Sequence, residues 1–132
     1  MVFIKNLLYI LGFFLFLMCC SCEKPAGEGG LGSITGKVFV REYNSNGIFK
    51  NEYFAPDEKV YIIYGENQIY DDETSTHFDG TYRFNYLHKG DYTIFVYSEC
   101  DTCSAPDIAI QEKVTILGRG NETSVPLIVI TK

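Results

Sequence analysis

The chain has 132 residues, with 17 Asp and Glu against 11 Lys and Arg and a formal net charge of −6 at pH 7. That length supports one domain, and the share of Val, Ile, Leu, Phe and Tyr excludes wholesale disorder. The excess of negative charge makes nucleic acid, and adhesion of the domain to anionic lipid headgroups, poor expectations.

Near the start of the sequence Lys5 precedes an apolar run from Leu7 to Met18. The run falls within the roughly 7–15 residues of an export-signal core and short of the about 20 needed to cross a bilayer. Cys19-Cys20-Ser21-Cys22 follows, and then Glu23-Lys24-Pro25-Ala26-Gly27-Glu28-Gly29-Gly30, into which no apolar helix would continue. The pattern resembles the signal of bacterial lipoproteins, in which a small residue precedes a cysteine that is acylated on sulfur and before which the chain is cut. The resemblance makes Cys22, preceded by Ser21, the acceptor, with Cys20 and its upstream Leu17 the alternative. An ordinary membrane anchor with incidental cysteines is the third reading. The lipoprotein resemblance implies a signal over 1–21, a lipid-anchored protein of the cell envelope, and outer-membrane sorting, since Glu23 rather than Asp follows the cysteine. Residues 22–32 then read as a flexible tether and 33–132 as the domain. Loss of Lys5 with the signal leaves 10 basic residues against 17 acidic ones.

Within the domain the hydrophobic period is two. Ile34, Gly36, Val38 and Val40, then Tyr82, Phe84 and Tyr86, then Ile108, Ile110, Val114 and Ile116 alternate with polar residues as half-buried strands do. Lys59–Tyr64, Asp91–Ser98 and Ser124–Thr131 carry β-branched and aromatic residues on both faces. Pro126 places the last of these at a sheet edge or bulges it near its start. Turn residues separate the runs, and Asp79-Gly80 suits a tight hairpin because Gly takes positive φ cheaply. About seven strands at this spacing predict an all-β fold, a single Ig-like or transthyretin-like antiparallel β-sandwich.

Gly36-Lys37-Val38, Asp79-Gly80-Thr81-Tyr82-Arg83-Phe84 and Leu87-His88-Lys89-Gly90-Asp91-Tyr92-Thr93-Ile94-Phe95-Val96 resemble the carboxypeptidase regulatory-like and collagen-adhesin B-type domains. The resemblance implies the transthyretin-like sandwich, with Tyr82, Phe84, Tyr92, Ile94 and Val96 inward, Leu87 at a corner and Gly90 at a turn. It says little about activity. Adhesin-type members close a Lys–Asn isopeptide bond. Lys37 matches the first partner, but Val125–Lys132 contains no Asn.

Cys100-Asp101-Thr102-Cys103 holds the cysteines left in the exported domain, and outside the cytoplasm a local disulfide leads over free thiols, redox chemistry or zinc. His77 and His88 read as polar residues at strand ends. Asp71, Asp72, Glu73 and Asp79 are weak calcium candidates whose spacing matches no EF-hand loop. No cofactor is expected, and 111 residues without Trp make a poor hydrolase. If Tyr92, Ile94 and Val96 face inward, then Tyr61, Ile63, Phe95 and Tyr97 form an outward patch, which the aromatic 41–57 insertion is expected to cover. The expectation is therefore a non-catalytic lipid-anchored module with a membrane anchor and an envelope protein partner. A glycan bound by exposed rings is the alternative, and a small redox or hydrolytic enzyme comes third.

Overall fold

The computed structural model describes residues 1–7, 9 and 22–132. The Cys20 alternative and most of the 7–18 apolar run lie outside the described residues. Among those described, no helix is long and apolar enough to cross a membrane.

Among the described residues nine strands form two packed sheets: β1 Glu28–Tyr43, β2 Phe49–Phe54, β3 Lys59–Tyr64, β4 Asp72–Ser75, β5 Thr81–Leu87, β6 Gly90–Glu99, β7 Asp107–Ile116, β8 Glu122–Ser124 and β9 Ile128–Thr131. The first sheet is organised on β1, which is long enough to carry two pairs of neighbours. Its first half pairs antiparallel with β5 and parallel with β8, and its second half antiparallel with β2 and parallel with β9. The second sheet runs β4-β3-β6-β7, antiparallel throughout. Period-two alternation then buries one face of each. Ile34, Val38, Val40, Tyr82, Phe84 and Leu87 meet Val60, Ile62, Tyr92, Ile94, Val96 and Ile116 in one core. At roughly 25 cal/mol per Å² of apolar surface removed from water, this interlayer dominates the fold's stability.

The all-β sandwich is as the sequence predicts, with four differences in detail. The strand count rises to nine because Phe49–Phe54 and Asp72–Ser75 pair as extra edge strands. The last run is divided around Val125-Pro126-Leu127, where Pro lacks the N–H that a ladder needs. The Asp79-Gly80 turn is not a hairpin: β4 and β5, which it joins, belong to different sheets. Gly80 takes φ 78° there, and Val38 N–H donates to the Gly80 carbonyl at 3.0 Å, so the turn is docked on β1 rather than closing a ladder.

The fourth difference concerns residues 22–32. Ordered pairing starts at Glu28, not after residue 32. Gly27 N–H donates to the Tyr92 hydroxyl at 2.9 Å, that hydroxyl donates to the His88 carbonyl at 2.6 Å, and His88 N–H donates to the Gly27 carbonyl at 2.8 Å. A backbone satisfied in this way against a buried side chain is part of the domain.

Candidate functional site

The outer face of the second sheet holds the expected patch. Tyr61 and Ile63 on β3 alternate with the buried Val60 and Ile62. Thr93, Phe95 and Tyr97 on β6 alternate with the buried Tyr92, Ile94 and Val96. Register sets Tyr61 directly beside Phe95 and Ile63 beside Thr93. The Tyr61 and Phe95 rings stack at 5.0 Å and 15°. Tyr97 meets both edge-on, at 5.6 Å and 5.5 Å. Tyr70, from the β3–β4 connection, closes edge-on against Tyr61 at 4.8 Å. Each arrangement suits ring quadrupoles, so the four rings hold one another in place. Phe95 is 6% exposed, whereas Tyr97 and Tyr70 are 48% and 45% exposed.

The 41–57 segment does not cover this face. Its second half forms β2, which pairs with β1 in the other sheet. Its rings are satisfied there: Tyr43 against Phe49 at 6.0 Å, Phe54 against Phe39 at 5.2 Å, and Tyr53 against the core. Lys37 Nζ lies 4.9 Å over the Phe54 ring. Hairpin pairing uses the backbone of this segment more completely than a loop draped over the opposite sheet could.

Polar groups frame the rings. Glu73 opposes Tyr61 across β4 and pairs with Lys59 at 2.7 Å, which raises the lysine pKa through that hydrogen bond. Burial, with a further contribution from Glu73, pushes the Tyr61 phenol above its usual pKa, keeping it a neutral donor. On the β7 side Gln111 opposes Phe95, Lys113 opposes Thr93, and the small Ala109 opposes Tyr97. A groove of about 440 Å³ adjoins the rings, lined by Ile63, Asn67, Gln68, Thr93, Gln111 and Lys113 among others. Half-exposed rings beside amides, a hydroxyl and a cation can hold a ligand that is apolar on one face and hydroxylated at its edges.

The expected patch of Tyr61, Ile63, Phe95 and Tyr97 is thus one contiguous face. Tyr70, Gln111 and Lys113 were not legible as part of it. The outward phase of β7 pointed to the last two, whereas nothing in the pattern places Tyr70, which precedes β4 in a connection.

The calcium candidates are not gathered, and among the described residues no group of three or more His, Cys, Asp or Glu is placed to hold a metal. Each carboxylate has local work. Asp71 accepts from Tyr64 N–H at 2.7 Å and Asn67 Nδ2 at 2.9 Å, and Asp72 from Glu73 N–H at 2.8 Å. Asp79 accepts from Thr81 N–H and Oγ1 at 3.1 and 3.0 Å, which holds its pKa below the usual range. Cys100 and Cys103 are disulfide-bonded, with Cα atoms 5.4 Å apart, in the β6–β7 turn. Cys22 is an exposed free thiol at the opposite end of the sandwich.

No family model matches the chain, and no curated protein matches it. Among solved structures, it is similar to a crystal structure of a candidate carbohydrate binding protein from Pseudomonas aeruginosa. The identity is 15%, the match covers 81% of this chain and 92% of that one, and the TM-score is 0.42. A likeness of that size carries no argument about this chain's ligand.

Proposed function

We propose that this chain is a non-catalytic, lipid-anchored binding module of the cell envelope, and that the outer face of the β4-β3-β6-β7 sheet binds a glycan. The observation that carries the reading is the Tyr61–Phe95–Tyr97–Tyr70 cluster, with Tyr70 and Tyr97 half-exposed, on the same sheet face as a polar groove lined by Ile63, Thr93, Gln111 and Lys113. Pyranose rings present apolar C–H faces and hydroxyl edges. The faces suit the half-exposed Tyr70 and Tyr97, and the edges suit Gln111, Asn67, Gln68 and Lys113. Binding rather than turnover fits the engagement of Asp71, Asp72, Asp79 and Glu73 in turns and an ion pair. The anchor reading rests on the apolar run, the exposed Cys22 that follows it, and the resemblance to lipoprotein signals. Glu23 after the cysteine supports the outer membrane as its destination.

An envelope protein docking on the same face is the second reading, favoured by the aromatic and Ile63 content typical of interface cores. Glycan arrays probed with the purified protein, alongside crosslinking from intact envelopes, separate the two. A glycan hit weakened at least tenfold by Tyr97→Ser or Tyr70→Ser, with thermal stability retained, is the expected result. A glycan hit indifferent to both substitutions sinks the assignment to this face. Protein crosslinks through Tyr97 without any glycan hit replace the first reading by the second.

A further inference from the structure

The end of the sandwich nearest Cys22 presents two leucines to solvent. Leu31 is 59% exposed and Leu117 is 83% exposed. Neither is an accident of a frayed end, because each is held out by glycine-dependent backbone. In β1 both Glu28 and Gly32 register with Leu87, so residues 29–31 are looped out between them. A Cβ on Gly30 would collide with the Leu87 carbonyl, and Gly29 takes φ 100°. The bulge is therefore a specific extrusion of Leu31. Leu117 directly follows β7 and opens the Gly118-Arg119-Gly120 turn, with Gly120 at φ 76°.

Cations accompany the leucines. A concavity of about 690 Å³ is lined by Cys22, Lys24, Leu31, Lys89 and Arg119, among others. Lys89 pairs with Glu23, whereas among the described residues Lys24 and Arg119 stand in no ion pair. Exposed leucines with uncommitted cations around them suit a bilayer interface, where apolar side chains enter the acyl boundary and cations meet phosphate.

We infer that this end of the domain, Leu31 and Leu117 with Lys24 and Arg119, seats directly in the phospholipid headgroup layer rather than hanging from it on a free tether. The inference rests on the anchor reading above, since the attachment at Cys22 is what brings a bilayer to this end. The acidic balance of the whole chain does not oppose it: of the carboxylates at this end, Glu23 and Glu122 are paired with Lys89 and Arg83, and Glu28 and Asp91 accept from the Tyr64 and Thr115 hydroxyls.

The chain contains no Trp, so a single introduced indole reports cleanly. Full-length protein extracted from membranes is reconstituted into phosphatidylcholine–phosphatidylglycerol vesicles containing brominated acyl chains. Leu117→Trp and Leu31→Trp are compared with Ile48→Trp, at an exposed site in the β1–β2 turn of the far end. The expected result is blue-shifted emission and at least twofold quenching at positions 117 and 31, with neither at 48. Arg119→Glu in the Leu117→Trp background should roughly halve the quenching while vesicle association persists. Vesicle-bound protein in which the indoles at positions 117 and 31 emit like the one at position 48 overturns the inference and leaves the anchor intact. Protein that fails to float with vesicles overturns the anchor reading and this inference together.

Discussion

Tyr82→Phe should stabilise the protein, and the gain should grow at alkaline pH. Tyr82 is fully buried on β5, and among the described residues its hydroxyl is the buried side-chain polar atom without a hydrogen-bond partner. It lies against β1 where Gly36 leaves room; a Cβ there would collide with the hydroxyl. A buried, unsatisfied donor costs about 1–3 kcal/mol, and Phe keeps the ring and its contact with Phe84 at 6.3 Å. Allowing for a small void where the oxygen was, we expect a gain of about 1 kcal/mol near neutral pH, a rise in Tm of roughly 4 °C or more for a domain of this size. Burial, with a smaller contribution from Glu112, raises the Tyr82 pKa well above its ordinary value. The folded state therefore keeps this proton while the unfolded chain loses it near pH 10. Stability from the neutral phenol is complete below pH 10 and declines as pH rises beyond it. At pH 11 the loss amounts to about 1.4 kcal/mol for this one group, and Phe cannot suffer it. The advantage of Tyr82→Phe should therefore widen from about 1 kcal/mol at pH 8 to roughly 2.4 kcal/mol at pH 11, as read from urea unfolding at both values. A variant less stable than the parent at pH 8, or an advantage that stays constant with pH, would refute the reasoning.

Three further outcomes are expected. Cys22→Ala should abolish incorporation of labelled palmitate and release the domain from membranes, whereas persistent labelling would move the acceptor to Cys20. Thr76→Val should cost about 1–3 kcal/mol by denaturant unfolding, because the buried Thr76 hydroxyl donates to the Ala55 carbonyl at 2.5 Å and accepts from Glu58 N–H at 2.8 Å, and Val leaves both unpaired. Replacing Cys100 and Cys103 together by Ser should cost no more than about 2 kcal/mol, since so short a ring removes little unfolded-chain entropy; a loss of cooperative unfolding would show that the bond organises more than its own turn.

The sandwich was legible because its core strands alternate with period two and their inward residues are large. Tyr82 and Phe84 could face only one way without exposing an apolar row, whereas Tyr92, Ile94 and Val96, on a strand apolar on both faces, were set inward by the resemblance. β2 was hidden because Phe49–Phe54 has no clean alternation: it lies at a sheet edge, five of its six residues are exposed, and its pairing is set by register with β1. β4 was hidden for a similar reason, its Asp and Glu reading as a solvated loop until Lys59–Glu73 and the β3 ladder make it an edge. Charges at such an edge also discourage pairing with another chain. Of the ledge, the four residues on β3 and β6 followed from the inward setting of Tyr92, Ile94 and Val96 that the resemblance implies. Their neighbours Gln111 and Lys113 needed the β6–β7 register, and Tyr70 needed the folded connection. The early start of β1 was masked by its glycines, which resemble a linker in composition but here allow the bulge against Leu87.

Strand direction ties the two proposed surfaces together. β6 starts at Gly90, against Ala26 and a few residues from Cys22, and ends at Glu99 beside the disulfide turn. At about 3.3 Å per residue, Phe95 and Tyr97 stand roughly 17 and 23 Å along the strand from the Cys22 end. With that end seated as proposed, and allowing for tilt, the ledge would clear the headgroup layer, with its groove of Thr93 and Lys113 between it and the membrane. A domain swinging on a free linker would present that face in every direction. Pinning Gly27 to Tyr92, together with the proposed seating of Leu31 and Leu117, would fix which way it points. On that proposal the same leucines set whether the ring ledge faces along the membrane surface, where a bound chain would lie parallel to the bilayer. Loosening that end, as Tyr92→Phe should by removing the acceptor of Gly27 N–H, would then weaken binding to immobilised envelope ligands while leaving affinity for a soluble oligosaccharide unchanged.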